Sequence, residues 1–81
     1  MTDEQLFERI VMNPKVMLGK PVIKGTRLTV EYVIDRLAHG ASADDLILEY
    51  EGISPDDVLA CLLFAQKCLS ETDYLPLLAE A

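Results

Sequence analysis

The 81 residues predict a mainly α fold, with a three-helix helix-turn-helix core preceded by a short β-hairpin. Three observations carry that expectation. From Thr29 the apolar residues Val30, Val33, Ile34 and Leu37 take up helical spacing, and the pattern stops at Gly40. Ser54-Pro55-Asp56-Asp57 joins a capping residue, a proline at the first helical position and acids in the first turn, which together start a helix. Only a few residues around Glu51-Gly52-Ile53 separate that helix from the one before it. A short glycine-containing link between two capped helices marks a helix-turn-helix unit.

Taken in order, Thr2 with Gln5 three residues later is a capping box for a short opening helix. Residues 9–28 read as a β segment: Ile10-Val11-Met12, Val16-Met17-Leu18 and Pro21-Val22-Ile23 are short apolar runs parted by Asn13-Pro14 and Gly19. One or two short strands are expected there. Thr29 caps the first core helix. Ser42 caps the second, with Asp44 and Asp45 where the macrodipole favours negative charge and Leu46, Ile47 and Tyr50 on its apolar side. The third core helix runs to about Leu69. The chain thus reads as one domain over 1–81, with the core at about 29–69 and an apolar tail at 70–81 holding Tyr74-Leu75-Pro76-Leu77-Leu78.

A composition of 51% hydrophobic and 26% charged residues is too apolar for a disordered chain and calls for a packed core. So small a domain cannot hide that much apolar surface by itself. The run Val58 to Ala65 contains no polar residue, so Val58, Leu59, Leu62, Leu63 and Phe64 are expected to serve as core and as a homodimer interface. Tyr74, Leu75, Leu77 and Leu78 are the expected anchors for a partner protein. Cys61 and Cys68 stand two turns apart on one helix, about 10 Å along its axis, and cannot bond each other. They read as small buried hydrophobes of a reducing, cytoplasmic setting. No leader pattern and no membrane-length apolar run is recognised, so a soluble protein is expected.

The net charge of -7 argues against wholesale coating of nucleic acid, but its distribution is uneven. Six of the seven cations lie before residue 41, against five acids; the remainder has Lys67 against nine acids. Lys15, Lys20, Lys24 and Arg27 fall in the β segment and are the candidate nucleic-acid contacts, set against a plainer reading as a solvated, charge-balancing loop. Asp44, Asp45, Asp56 and Asp57 occupy helix N-termini, where acids serve as caps without any metal. Gly19-Lys20 lacks the Ser or Thr and the upstream Gly of a phosphate-binding loop. His39 is the only histidine and stands at a helix end. No nucleophile, acid–base pair, metal set or cofactor motif emerges, so a binding module rather than an enzyme is expected.

Gly19-Lys20-Pro21-Val22-Ile23-Lys24-Gly25-Thr26-Arg27, with Val30, Gly40-Ala41-Ser42, Leu46, Tyr50 and Ile53-Ser54-Pro55-Asp56-Asp57-Val58, resembles the domain-of-unknown-function family 433 from about Arg9 to Leu69. The resemblance implies a homeodomain-like helix-turn-helix after a β-hairpin. It further implies an antitoxin of the VapB sort in a prokaryotic type II toxin–antitoxin system. The partner would be a PIN-like ribonuclease toxin, with the protein's own promoter DNA as a second target. The alternative is an autonomous homo-oligomeric DNA-binding regulator without a toxin.

Overall fold

The opening residues fold as the caps dictate. Thr2 accepts from the Gln5 amide and Gln5 returns a bond to the Thr2 amide, starting α1 at Asp3–Phe7. The computed structural model describes residues 1–71 as four helices and one two-stranded antiparallel sheet. The strands are β1, Ile10–Val11, and β2, Val22–Ile23, with Ile10 opposite Ile23 and Val11 opposite Val22. The helices of the core are α2, Val30–Ala38, α3, Ala43–Glu49, and α4, Pro55–Ser70.

Each core helix starts where the sequence signals it. Thr29 Oγ1 accepts from the Tyr32 amide at 3.0 Å. Ser42 and Asp45 exchange bonds reciprocally, at 3.1 and 2.8 Å. At α4 the Asp57 carboxylate takes the Ser54 amide at 2.8 Å and its hydroxyl at 3.2 Å. These bonds satisfy amides that a helix start leaves without intrahelical partners. Gly40 and Gly52 follow α2 and α3 with φ of 98° and 86°, a left-handed conformation that a side chain would oppose.

The core draws one or two residues from every element after β1: Ile23 from β2, Val30 and Val33 from α2, Leu46 from α3, Ile53 from the α3–α4 link, and Val58 and Cys61 from α4. Ile10, Leu28, Ile34, Leu37 and Phe64 pack around them. Burying each such large side chain is worth about 1.5–3 kcal/mol, so this cluster orders the β segment as well as the helices. One polar tie reinforces it. Arg9, just before β1, donates to Asp57 Oδ1 at 3.0 Å and reaches Ser54 Oγ at 3.4 Å, fastening the segment to the start of α4.

The structure departs from the sequence reading in three places. The run Val16-Met17-Leu18 is no strand: Met17, Leu18 and Gly19 have φ of 48°, 58° and 82° and form a left-handed turn. The short opening helix has a packing partner, since α1 lies on α4. Within the run from Val58 to Ala65, Leu59 and Leu62 remain exposed, but the residue named first for an interface does not. Val58 belongs inside the subunit at 2% exposure and has no area to give an interface. Cys61 is buried but Cys68 is exposed, because Gln66 to Ser70 extend past the elements that cover the rest of α4.

Candidate binding surfaces

The cations of the β segment belong to a longer pattern. Between Glu8 and Glu31 the chain holds Arg9, Lys15, Lys20, Lys24 and Arg27 and not one acid, in a protein of net charge -7. Sequence reasoning picked out four of the five and missed the acid-free stretch itself, which counting acids between cations would have found. Lys15, Lys20, Lys24 and Arg27 are all exposed. They do not form one patch. Lys20 and Arg27 line an open groove of about 690 Å³ together with Leu28, Tyr32 and Tyr50. Lys24 lies in a second concavity beside Arg9, near the start of α4. Arg9 is occupied by Asp57, and Lys20 reaches Glu31 at 3.3 Å in an exposed pair that holds it weakly. Lys15, Lys24 and Arg27 make no ion pair among the described residues.

The left-handed turn sits in this acid-free stretch, between Lys15 and Lys20. Its amides are satisfied locally, Gly19 N–H to the Val16 carbonyl at 3.0 Å and Lys20 N–H to the Met17 carbonyl at 3.1 Å. Two consecutive non-glycine residues with positive φ carry a strain of about 1–2 kcal/mol each. The turn brings no burial in exchange: Leu18 is 93% exposed and Met17 43%. A strained turn that displays a leucine among cations is therefore a candidate contact point.

The wall of the groove is held rigidly. Arg36 of α2 makes two bonds to the Glu49 carboxylate of α3, at 2.7 and 3.0 Å. It also approaches the Tyr32 hydroxyl, which meets the Tyr50 hydroxyl, and the two rings stand edge to face at 6.0 Å. The Tyr50 hydrogen bond, then Arg36, lowers the pKa of Tyr32, while the same Tyr32 contact raises that of Tyr50. Hydrogen bonds from Arg36 hold Glu49 below the usual carboxylate range. Arg36 is thus committed within the fold and is not offered to an outside anion.

One member of each acidic pair does the work of a cap. Asp45 and Asp57 bond the amides of Ser42 and Ser54, and the Ser42 backbone bond lowers the Asp45 pKa. His39 Nδ1 lies 2.7 Å from the Asp35 carbonyl oxygen at the end of α2. Among the described residues no three His, Cys, Asp or Glu side chains come together as a metal set. No helix among them is long and apolar enough to cross a membrane.

On α4, Leu59 and Leu62 are exposed and Leu63 and Phe64 half-buried, with Phe64 packed against the core. Tyr74, Leu75, Leu77 and Leu78 lie outside the described residues.

Fold and surfaces together define a small, mainly helical domain that displays an acid-free cationic segment on one part and an apolar helix face on another. The chain belongs to the family described as Protein of unknown function (DUF433), whose model matches residues 10–65. Its fold is similar to the crystal structure of a DUF433 member protein from Anabaena variabilis, with a TM-score of 0.74 at 24% identity over 84% of this chain and 67% of that one. An uncharacterized protein from Archaeoglobus fulgidus is 67% identical over 25 residues, which make up 31% of this chain and 69% of that protein.

Proposed function

We propose that this protein is an antitoxin-like binding module of a prokaryotic type II toxin–antitoxin system, with α2 to α4 acting as a homeodomain-like helix-turn-helix scaffold. Its partners in this reading are a PIN-like ribonuclease toxin and its own promoter DNA. The observation that carries the nucleic-acid part is the acid-free stretch from Arg9 to Val30, with Lys15, Lys24 and Arg27 exposed and unpaired among the described residues. The toxin class rests on the family resemblance, and Tyr74, Leu75, Leu77 and Leu78 remain the proposed toxin anchors.

Contact with DNA in this reading runs through the β segment and not through α4. A recognition helix needs polar side chains that reach base edges. The exposed middle of α4 presents Leu59 and Leu62 instead. A gel-shift titration on the protein's own promoter fragment tests this. Replacing Lys15, Lys20, Lys24 and Arg27 by Ala should abolish the shift, and the wild-type slope of log K against log salt should be about -3 to -4 per subunit. Unchanged binding by that fourfold variant overturns the nucleic-acid part. Failure of the neighbouring gene product to co-purify overturns the toxin part and leaves the regulator without a toxin.

A further inference from the structure

The Met17–Gly19 turn holds one side chain out of the fold. Met17 and Leu18 both keep a positive φ that their side chains oppose, and the turn is closed by the Gly19 and Lys20 amides on the Val16 and Met17 carbonyls. The approach to it is fastened as well. Val16 N–H donates to the Asn13 carbonyl at 2.8 Å and Lys15 N–H to Asn13 Oδ1 at 2.9 Å. On this braced backbone Leu18 is 93% exposed, more than any other large apolar residue described. Lys15 precedes it by three residues and Lys20 follows it by two, so the leucine stands between cations. The carboxylates nearest in the adjoining groove, Glu31 and Asp35, already face Lys20 and His39.

One sign of charge selects the partner. A protein that matched the acid-free stretch needs an equally one-signed patch, whereas duplex DNA carries one negative charge about every 1.7 Å along its whole length. An anionic lipid surface shares that charge, but holding a chain of net charge -7 on it takes more inserted apolar surface than one leucine supplies. Leu18 then decides the mode of contact. It has no donor or acceptor with which to read base edges. Apolar side chains that enter the minor groove act as wedges, parting two stacked base pairs while neighbouring cations hold the phosphates and the duplex kinks. A wedge has to be carried rigidly, and the hydrogen-bonded left-handed turn does so.

We infer that the Met17–Gly19 turn enters the minor groove of duplex DNA and wedges Leu18 between two base pairs, with Lys15 and Lys20 on phosphates to either side. The inference rests on the proposed binding of promoter DNA through the β segment and adds a deformation to it. Lys20 exchanges its exposed pair with Glu31 for a phosphate. Pyrimidine–purine steps such as TA unstack most readily, so they are the preferred sites, and sequence preference arises with no hydrogen bond to a base.

Energy transfer between dyes at the two ends of the promoter duplex reads the kink, and a salt titration reads the phosphate contacts. The full chain should bend the duplex by about 20–90°. Leu18→Ala should abolish the bend at saturating protein and leave the slope of log K against log salt at about -3 to -4. Circular dichroism should show an unchanged fold, since the side chain removed is exposed. Lys15→Ala combined with Lys20→Ala should make the slope shallower by about 2. A straight duplex in the wild-type complex, a Leu18→Ala complex bent like the wild type, or an unchanged slope in the double lysine variant overturns the inference and leaves DNA binding standing. No binding to DNA overturns both, and Leu18-dependent binding to anionic lipid vesicles in its place assigns the turn to a lipid surface.

Discussion

Residues 30–70 and residues 9–29 are ordered by different means. In the helical part each element starts at its own side-chain cap and closes its own backbone bonds, so the local sequence suffices to place it. The β segment has only two strand pairs. Its other backbone bonds close within the segment or onto the first residue of α2, from Lys24 N–H to the Arg9 carbonyl, Ile23 N–H to the Leu28 carbonyl and Val30 N–H to the Pro21 carbonyl. Val22 and Ile23, each 1% exposed, fix it to the core. The contrast teaches that the segment borrows its order from the helices. With both ends held, it can sustain a left-handed turn at Met17 and Leu18 that an isolated loop would relax.

If that borrowing is real, the largest effect comes from cutting it at β2. Ile23→Ala should lower stability by about 2–5 kcal/mol in a urea titration, since Ile23 is fully buried and its surroundings refill the cavity only in part. The helical part should lose stability with the β segment, and retention of full helix stability would show that the two regions are independent.

Asp57→Ala comes next, at about 2–3 kcal/mol, because it removes the helix start and the Arg9 tie together. Arg9→Ala should reproduce only part of that loss. Equal losses would mean that the cap at α4 contributes nothing.

Leu18→Gly should have the opposite sign. Relief of a left-handed leucine is worth about 1–2 kcal/mol, offset by about 0.5–1 kcal/mol for the freer unfolded glycine, leaving a small net stabilisation. The same change should weaken binding to promoter DNA if the turn is a contact point. Loss of stability instead would show that the turn is not strained.

The pH test addresses the helical part. Asp45 has a folded pKa below its ordinary value, so its contribution is complete above about pH 4 and is lost as pH falls through the depressed value. Asp45→Asn should therefore flatten the acid limb of a stability-against-pH curve, and an unchanged limb would assign acid sensitivity to other carboxylates, with Glu49 the next to test. The smallest effect is Leu48→Gln, within about 0.5 kcal/mol, since Leu48 is 86% exposed and outside every packed face.

Caps and helix positions were legible from residue types because they depend on neighbours three or four positions away, whereas the short antiparallel pair joins residues farther apart, Ile10 to Ile23 and Val11 to Val22, and showed only as apolar runs parted by turn formers. Thr29, Ser42 and the Ser54–Asp57 pair act where the sequence placed them. Of the candidate contacts, the exposed cations could be named from the sequence, but not their division into a Lys20–Arg27 groove and an Arg9–Lys24 concavity. That division follows from how β2 turns back on β1, a consequence of long-range packing.

The sequence by itself determined which stretches are helical, where they begin and that charge is divided between a cationic segment and an acidic remainder, since propensity, capping and charge are local properties. Tertiary structure alone decided which leucines of α4 are core and which are surface. Val58 and Leu59 are adjacent and equally apolar, yet one is 2% exposed and the other 51%. The difference arises because burial depends on which side of the helix α1, α2 and α3 cover, and the uncharged run of α4 carries no local mark of that direction. The left-handed conformation of Leu18 has the same origin: no residue preference calls for it, and the closure of a segment anchored at both ends imposes it.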